Sequence, residues 1–333
     1  MKKVALILSP IVLLVAAVVT IMVGAVSVPA AAVWPIIQAK LSGAAVPEQW
    51  AMYEMTIWNL RLPRILMSLL AGSALAVCGA AFQSIFRNPI CDPYILGISS
   101  GASLGAAVAI ITGLDAFMFG IPAAALVGAL LTLLLVIGIA FVGNRKAVET
   151  ILLAGIALNF LISAVITLLM VLNQKSLEQI IFWTMGSFTS SSWLEVGGLL
   201  AMLLICGFTL FFNAKSLNIL QLGTDTAQTS GVNVQRTTLT VLIAASLLIA
   251  SAVACCGVVG FVGLIIPHIV RLIFGNNNRT VFTFSLFFGA FFCLLADTIA
   301  RTIAAPAELP VGSITALVGA PYFIFLLLSK KKY

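Results

Sequence analysis

The sequence predicts an all-α integral membrane protein with about ten transmembrane helices. Of its 333 residues, 62% are hydrophobic and only 8% charged, whereas a soluble domain carries roughly 25% charge. The apolar residues fall into runs of about 20, the length that crosses a bilayer core. The charges stand singly or in pairs between those runs. A net charge of +7 therefore marks topology and not a nucleic-acid surface. Residues 1–333 read as a single membrane domain.

The first run, about 4–26, follows Lys2 and Lys3. It is longer than the core of a signal peptide and no small-residue cleavage site closes it, so it reads as a retained span. Nine more runs follow, at about 62–84, 94–112, 121–142, 150–171, 193–212, 237–256, 258–273, 281–299 and 311–329. Pro63 suits the first turn of the second span. Gly72, Ala76 and Ala80 recur every fourth residue, as do Gly97, Gly101 and Gly105. Small residues so spaced let helix backbones close on one another in lipid, where packing drives association. Gly257, Gly260 and Gly263 recur every third residue ahead of Pro267, which predicts a short or broken helix. A break is tolerated at membrane depth only where protein or a water-filled path covers it.

Charge orients the bundle. With ten spans and both termini in the cytoplasm, only Lys40, Arg61, Arg64, Lys175 and Arg301 of the 17 basic residues face outward. That is the bias of the positive-inside rule. The acids Glu48, Glu54, Asp115, Glu178, Glu195, Asp297 and Glu308 fall on the same outer side. On the inner side lies a polar island at 222–236, between two apolar runs. Its composition predicts a helix of about two turns, capped by Thr224 or Asp225 and ended by Gly231. A short helix at the membrane surface is a handle for a second protein to push on.

The chain carries no engine of its own. No GxxxxGK[ST] phosphate loop occurs, and no glycine is followed by lysine. No catalytic residue and no metal-ligating set is expected. The six cysteines (Cys78, Cys91, Cys206, Cys255, Cys256 and Cys293) lie mostly in apolar runs and read as buried small side chains. His268 beside Pro267 reads as an interfacial residue with a local hydrogen bond, the competing reading being a ligand or proton relay. Asp297 is the one acid close to a span interior, with Arg301 one turn on as its partner.

Three blocks of sequence add up to a family. One holds Arg61-Leu62-Pro63-Arg64, Gly72, Gly79, Arg87-Asn88-Pro89-Ile90-Cys91-Asp92-Pro93 and Leu96-Gly97-Ile98-Ser99-Ser100-Gly101-Ala102. The next is the polar island with Leu222-Gly223 and Gly231-Val232-Asn233-Val234. The third runs from Gly260-Phe261-Val262-Gly263 through Pro267-His268 and Arg271 to Leu295-Ala296-Asp297, Arg301, Glu308-Leu309-Pro310-Val311-Gly312 and Gly319-Ala320-Pro321. In order and spacing they resemble the permease subunits of ATP-binding-cassette importers for iron chelates, haem and cobalamin, over about residues 4–330.

The resemblance implies a type II importer permease of ten helices in a bacterial cytoplasmic (inner) membrane. It implies a second permease subunit, most simply as a homodimer, two ATPase subunits that hold ATP and Mg, and an extracytoplasmic substrate-binding protein. No cofactor is expected on this chain. The island becomes the coupling element, with Gly223, Thr224, Asp225, Ala227, Gln228, Gly231, Val232, Asn233 and Arg236 as its contact residues. Arg61, Arg64 and Arg301 resemble the cluster that receives acidic knobs of the binding protein, and guanidinium groups suit bidentate pairing with carboxylates. Interface anchoring, with Arg301 neutralising Asp297, is the other reading. Gate and path residues are implied at Ser100, Val148, Glu149, Asn159 and Ser163, although Glu149 stands where small polar residues are common in relatives. Asn159 and Ser163, four apart on one helix face, suit equally a helix–helix hydrogen bond. The cargo expected first is a ferric siderophore, then haem or cobalamin. The alternative from another class is an ion-coupled secondary transporter acting without an ATPase.

Overall fold

The computed structural model describes residues 2–24, 27–142 and 148–328. Among them lie fourteen α-helices and no strand: α1 (Lys2–Met22), α2 (Ala30–Ser42), α3 (Ala51–Glu54), α4 (Leu62–Ile85), α5 (Ile98–Ile111), α6 (Gly120–Val142), α7 (Val148–Leu172), α8 (Leu177–Thr184), α9 (Trp193–Leu220), α10 (Thr224–Thr229), α11 (Val234–Cys256), α12 (Val262–Phe274), α13 (Asn278–Thr302) and α14 (Val311–Leu328). Seven helical segments are long and apolar enough to cross a bilayer: α1, the stretch Glu48–Ile85 that ends in α4, α6, α7, α9, α11 and α13. The shorter apolar helices α5, α12 and α14 supply the remaining three of the ten predicted spans.

α4 is the axis of the bundle. Every residue from Ala71 to Ile85 is buried, and α9, α11, α12 and α13 surround it. A helix apolar on all sides belongs in the middle, because it has no polar face to turn outward. The predicted small-residue stripes set the spacing. A Cβ at Gly72 would stand 2.2 Å from the Gly289 carbonyl oxygen of α13. Gly101 and Gly105 close α5 on α6 in the same way, while Gly97 lies just outside, as the residue before α5. Peripheral helices show exposed apolar side chains instead, such as Val127, Leu134, Phe160, Leu168, Leu317 and Phe325.

Two features differ from the sequence reading. Pro63 stands in the first turn of α4 as expected, but no loop precedes it, because a continuous helical path begins at Glu48. The turns before it, Met55–Arg61, are wound wide as a π-helix. Proline has no N–H for the preceding turn, and a wide turn takes up that misfit. The loop after the first span contains α2, which buries Ala32, Val33, Ile36 and Ala39 and turns Trp34 and Leu41 outward. Its Lys40 pairs with Glu54, the last residue of α3.

The predicted break is present between α11 and α12. Residues 257–261 leave the helix, and Phe261 takes a left-handed conformation at φ 67°. Its freed backbone groups find protein partners: Tyr94 Oη donates to Val259 O at 3.0 Å and Ser187 N to Cys256 O at 2.9 Å. That is the condition on which irregular backbone persists in a membrane. α9 starts from a capping box, with Ser192 Oγ accepting from Glu195 N and the Glu195 carboxylate accepting from Ser192 N. Its 28 residues rise about 42 Å, so its last turns project past a core of about 30 Å and carry α10.

Candidate functional site

At the far end of α9 the polar island folds as one compact turn of structure. α10 spans Thr224–Thr229, six residues, close to the two turns expected. No side chain caps its start; Gly223 occupies the cap position at φ 125°, ψ 154°, so the expected capping by Thr224 or Asp225 is not what begins the helix. A glycine there reaches a backbone region essentially closed to other residues. The end is as predicted. Gly231 sits at φ 80°, its N–H bonds Gln228 O at 3.0 Å, and Val232 N bonds Ala227 O at 2.9 Å. This pair of bonds is a Schellman closure, which satisfies carbonyls a short helix otherwise leaves open.

The island is anchored from beneath and free above. Ala227 is fully buried, and α10 packs on α9 and α11. Thr224, Asp225, Gln228, Gly231, Asn233 and Arg236 are exposed, while Gly223 and Val232 are half-buried. Asn233 caps the start of α11 by accepting from Arg236 N at 3.0 Å. The result is a polar, nearly uncharged knob on a rigid stem.

Two of the expected path residues meet. Ser100 Oγ donates to Asn159 Oδ1 at 2.5 Å, and Asn159 Nδ2 donates to Tyr94 O at 3.5 Å. The same Tyr94 holds Val259 in the α11–α12 break. So α5, α7 and the break are tied together at one polar point in an apolar interior. Asn159 thus makes the interhelical hydrogen bond that was the competing reading. Ser163 does not join it; its side chain is exposed on α7 and its carbonyl accepts from Thr167. Val148 and Glu149 open α7, and their side chains lie outside the described residues.

Arginines gather at the opposite end of α4, but they point inward. Arg61, Arg64 and Arg301 are 7%, 7% and 5% exposed. Arg64 Nε donates to Asp297 Oδ1 at 2.9 Å and its Nη1 to Glu308 Oε1 at 2.9 Å. Arg301 lies 3.8 Å from Asp297 and donates to Thr20 O at 2.7 Å, while Arg61 donates to Ile21 O. α1 has no basic residue in its last turn, so these two guanidinium groups stand at its open carbonyls and complement its dipole from outside. The expected outward display for acidic knobs is therefore not the geometry found. Burial asks each cation for a partner, and Asp297, Glu308 and the end of α1 supply them.

Glu308 is the exposed member of this cluster, at 42% of its side chain. Thr189 Oγ1 donates to its Oε2 at 2.6 Å. Partial burial works against its charge, but the Thr189 hydroxyl and the Arg64 guanidinium outweigh it and hold the carboxyl below the usual glutamate range. His268 is buried on α12. Among the described residues no group of three or more His, Cys, Asp or Glu is placed to hold a metal, and all six cysteines are free thiols.

Sequence reasoning passed over the polar side chains beneath the island. Asn218 on α9, Gln221 directly after it, Ser84 on α4 and Asn278 on α13 are joined there by hydrogen bonds. Single polar residues at the ends of apolar runs are what such a joint looks like in sequence, and so are ordinary helix ends.

The relatives agree with this architecture. A permease of Bacillus subtilis (strain 168), YvrB, is 39% identical over 313 residues, covering 93% of this chain and 89% of that protein. The cobalamin import permease BtuC of Halobacterium salinarum is 39% identical over 297 residues, 88% of this chain and 79% of that one. The hemin transport permease HmuU of Yersinia pestis is 39% identical over 289 residues, 83% and 84% of the two chains. A solved metal-chelate type ABC transporter in an inward-facing conformation superposes with a TM-score of 0.85 at 32% identity, covering 98% of this chain and 99% of that one. The FecCD transport family model matches residues 12–329, and the chain belongs to that family.

Proposed function

We propose that this chain is the transmembrane permease of a binding-protein-dependent importer driven by a separate ATPase. The observation that carries the reading is α10: an exposed, Schellman-closed knob on the projecting end of α9, in a chain without a phosphate loop. Two copies apposed along the apolar outer faces of α7 and α14 enclose the path, two ATPase subunits bearing ATP and Mg seat the two knobs, and a binding protein delivers cargo at the arginine end. Both termini and α10 then face the cytoplasm of a bacterial cell.

The cargo is a metal chelate, a ferric siderophore first and haem or cobalamin next; relatives are named for cobalamin, hemin and iron(3+)-hydroxamate import. Mostly apolar walls suit a bulky ligand that must pass without binding. An ion-coupled carrier needs a titratable group open to the path, and Asp297 is fully buried between Arg64 and Arg301. The test is uptake of ferric hydroxamate, haemin and cyanocobalamin into proteoliposomes holding permease, ATPase and binding protein. Uptake of one of them that stops when the ATPase active site is disabled supports the reading. Uptake that continues assigns the chain to secondary transport instead.

A further inference from the structure

Beneath the island, four helices share one buried hydroxyl. Ser84, near the last residue of α4, is fully buried. Its Oγ donates to Asn278 Oδ1 of α13 at 2.7 Å. It accepts from Arg271 Nη2 of α12 at 2.9 Å and from Gln221 Nε2 at 3.1 Å. A hydroxyl offers one donor and two acceptor sites: Arg271 and Gln221 take both acceptor sites, and the single proton is shared between Asn278 Oδ1 and Ala80 O of α4 itself, 2.8 Å away. Gln221 directly follows α9, two residues before the island's Gly223. One turn back, Asn218 Oδ1 accepts from Asn278 N at 2.8 Å. Arg271 Nη2 also donates to Ala80 O of α4 at 3.0 Å.

The link continues along α12. Gln83, beside Ser84, donates through Nε2 to Leu264 O in the first turn of α12 at 3.0 Å. The end of α4 therefore grips this helix of 13 residues at both its first and its last turn. α12 starts from the break at 257–261, whose Val259 O is held by Tyr94, and Tyr94 O accepts from Asn159. A continuous run of side-chain bonds and short rigid helices thus joins Gln221 to the Ser100–Asn159 contact.

We propose that Ser84, Gln221, Arg271 and Asn278 form the joint through which α10 moves α12 and the break. They are positioning residues, since none is placed on the path itself. Apolar packing alone holds helices together in lipid but lets them slide; directional polar contacts between buried groups fix their register. The four residues concentrate such contacts where the knob's stem enters the bundle. The inference rests on the permease reading, because it gives α10 a partner that pushes.

The experiment measures cargo imported per ATP hydrolysed in proteoliposomes containing permease, ATPase and binding protein, with ferric hydroxamate, haemin and cyanocobalamin as probes. Ser84→Ala and Gln221→Ala are each expected to lower that ratio by about tenfold or more while the ATPase rate stays within about twofold. Residues acting as one unit are non-additive, so the double variant should lose no more than the worse single. Ser84→Thr, which keeps the hydroxyl, should restore the ratio. An unchanged ratio in both single variants overturns the inference. Import and ATPase rate falling together, with additive losses in the double variant, also overturn it, since that is the mark of general destabilisation. Failure of the wild-type complex to import any probe with ATP overturns the permease reading itself, and that outcome is visible before any variant is made.

Discussion

Gly223 and Gly231 hold φ values of 125° and 80°, which an L side chain resists, yet nothing crowds the space where their Cβ atoms would lie. Their role is conformational, so substitution acts on the shape of α10 and not on packing. A left-handed residue with a branched side chain costs about 1–2 kcal/mol, enough to reshape a six-residue helix without unfolding the spans. Gly231→Val should leave the detergent-solubilised melting temperature within a few degrees and remove most ATP-driven import. Retained coupling between hydrolysis and import would count against α10 as the coupling element. Arg64 poses the opposite case, because it is buried against Asp297. Breaking a buried pair by removing one partner costs about 3–5 kcal/mol, whereas an apolar replacement of both is often neutral. Arg64→Ala should therefore lower thermal stability sharply, and the double variant Arg64→Met, Asp297→Leu should recover most of the loss.

At the scale of elements, α4 and α13 meet through glycines whose carbonyl oxygens lie where side chains would be. A Cβ at Gly289 would stand 2.3 Å from Gly72 O. Only backbone movement relieves that contact, and overpacking of this kind costs about 1–3 kcal/mol. Gly72→Val should destabilise the bundle, and Gly138→Val on the open face of α6 should not; equal melting temperatures for the two would contradict the close approach. The stripe was legible because four-residue spacing of small side chains has one use between helices in lipid. The wide turn before Pro63 was not legible, since a proline after a polar segment reads the same whether it starts a helix or interrupts one. α2 escaped notice because its apolar residues are too few to span and its partners come from another part of the chain.

Across the whole molecule, two polar sites sit at opposite ends of α4, Arg64 at one and Ser84 at the other. Twenty residues of helix separate them by about 30 Å, one hydrocarbon thickness. The cluster at the Arg64 end carries a pH dependence. Glu308 is held below the usual glutamate range, so its link to Arg64 and Thr189 is in place at neutral pH. It is lost only as the pH falls beneath the ordinary glutamate value and through the lowered one. Glu308→Gln should abolish that acid-dependent part of the stability difference, as read from melting temperatures between neutral and acid pH. The sequence by itself determined the class, the ten spans, the break after Cys256 and the knob at 222–236. Each is a local pattern of hydropathy, glycine spacing or missing charge that lipid permits in only one way. Tertiary structure alone decided what the polar residues do. Arg61, Arg64 and Arg301 proved internal because α1, Asp297 and Glu308 converge on them, and Ser84 became a joint because three other helix ends arrive at its hydroxyl. A polar residue in a membrane takes its meaning from its partner, and partners up to 281 residues apart, such as Arg301 and Thr20, are chosen by packing and not by local sequence.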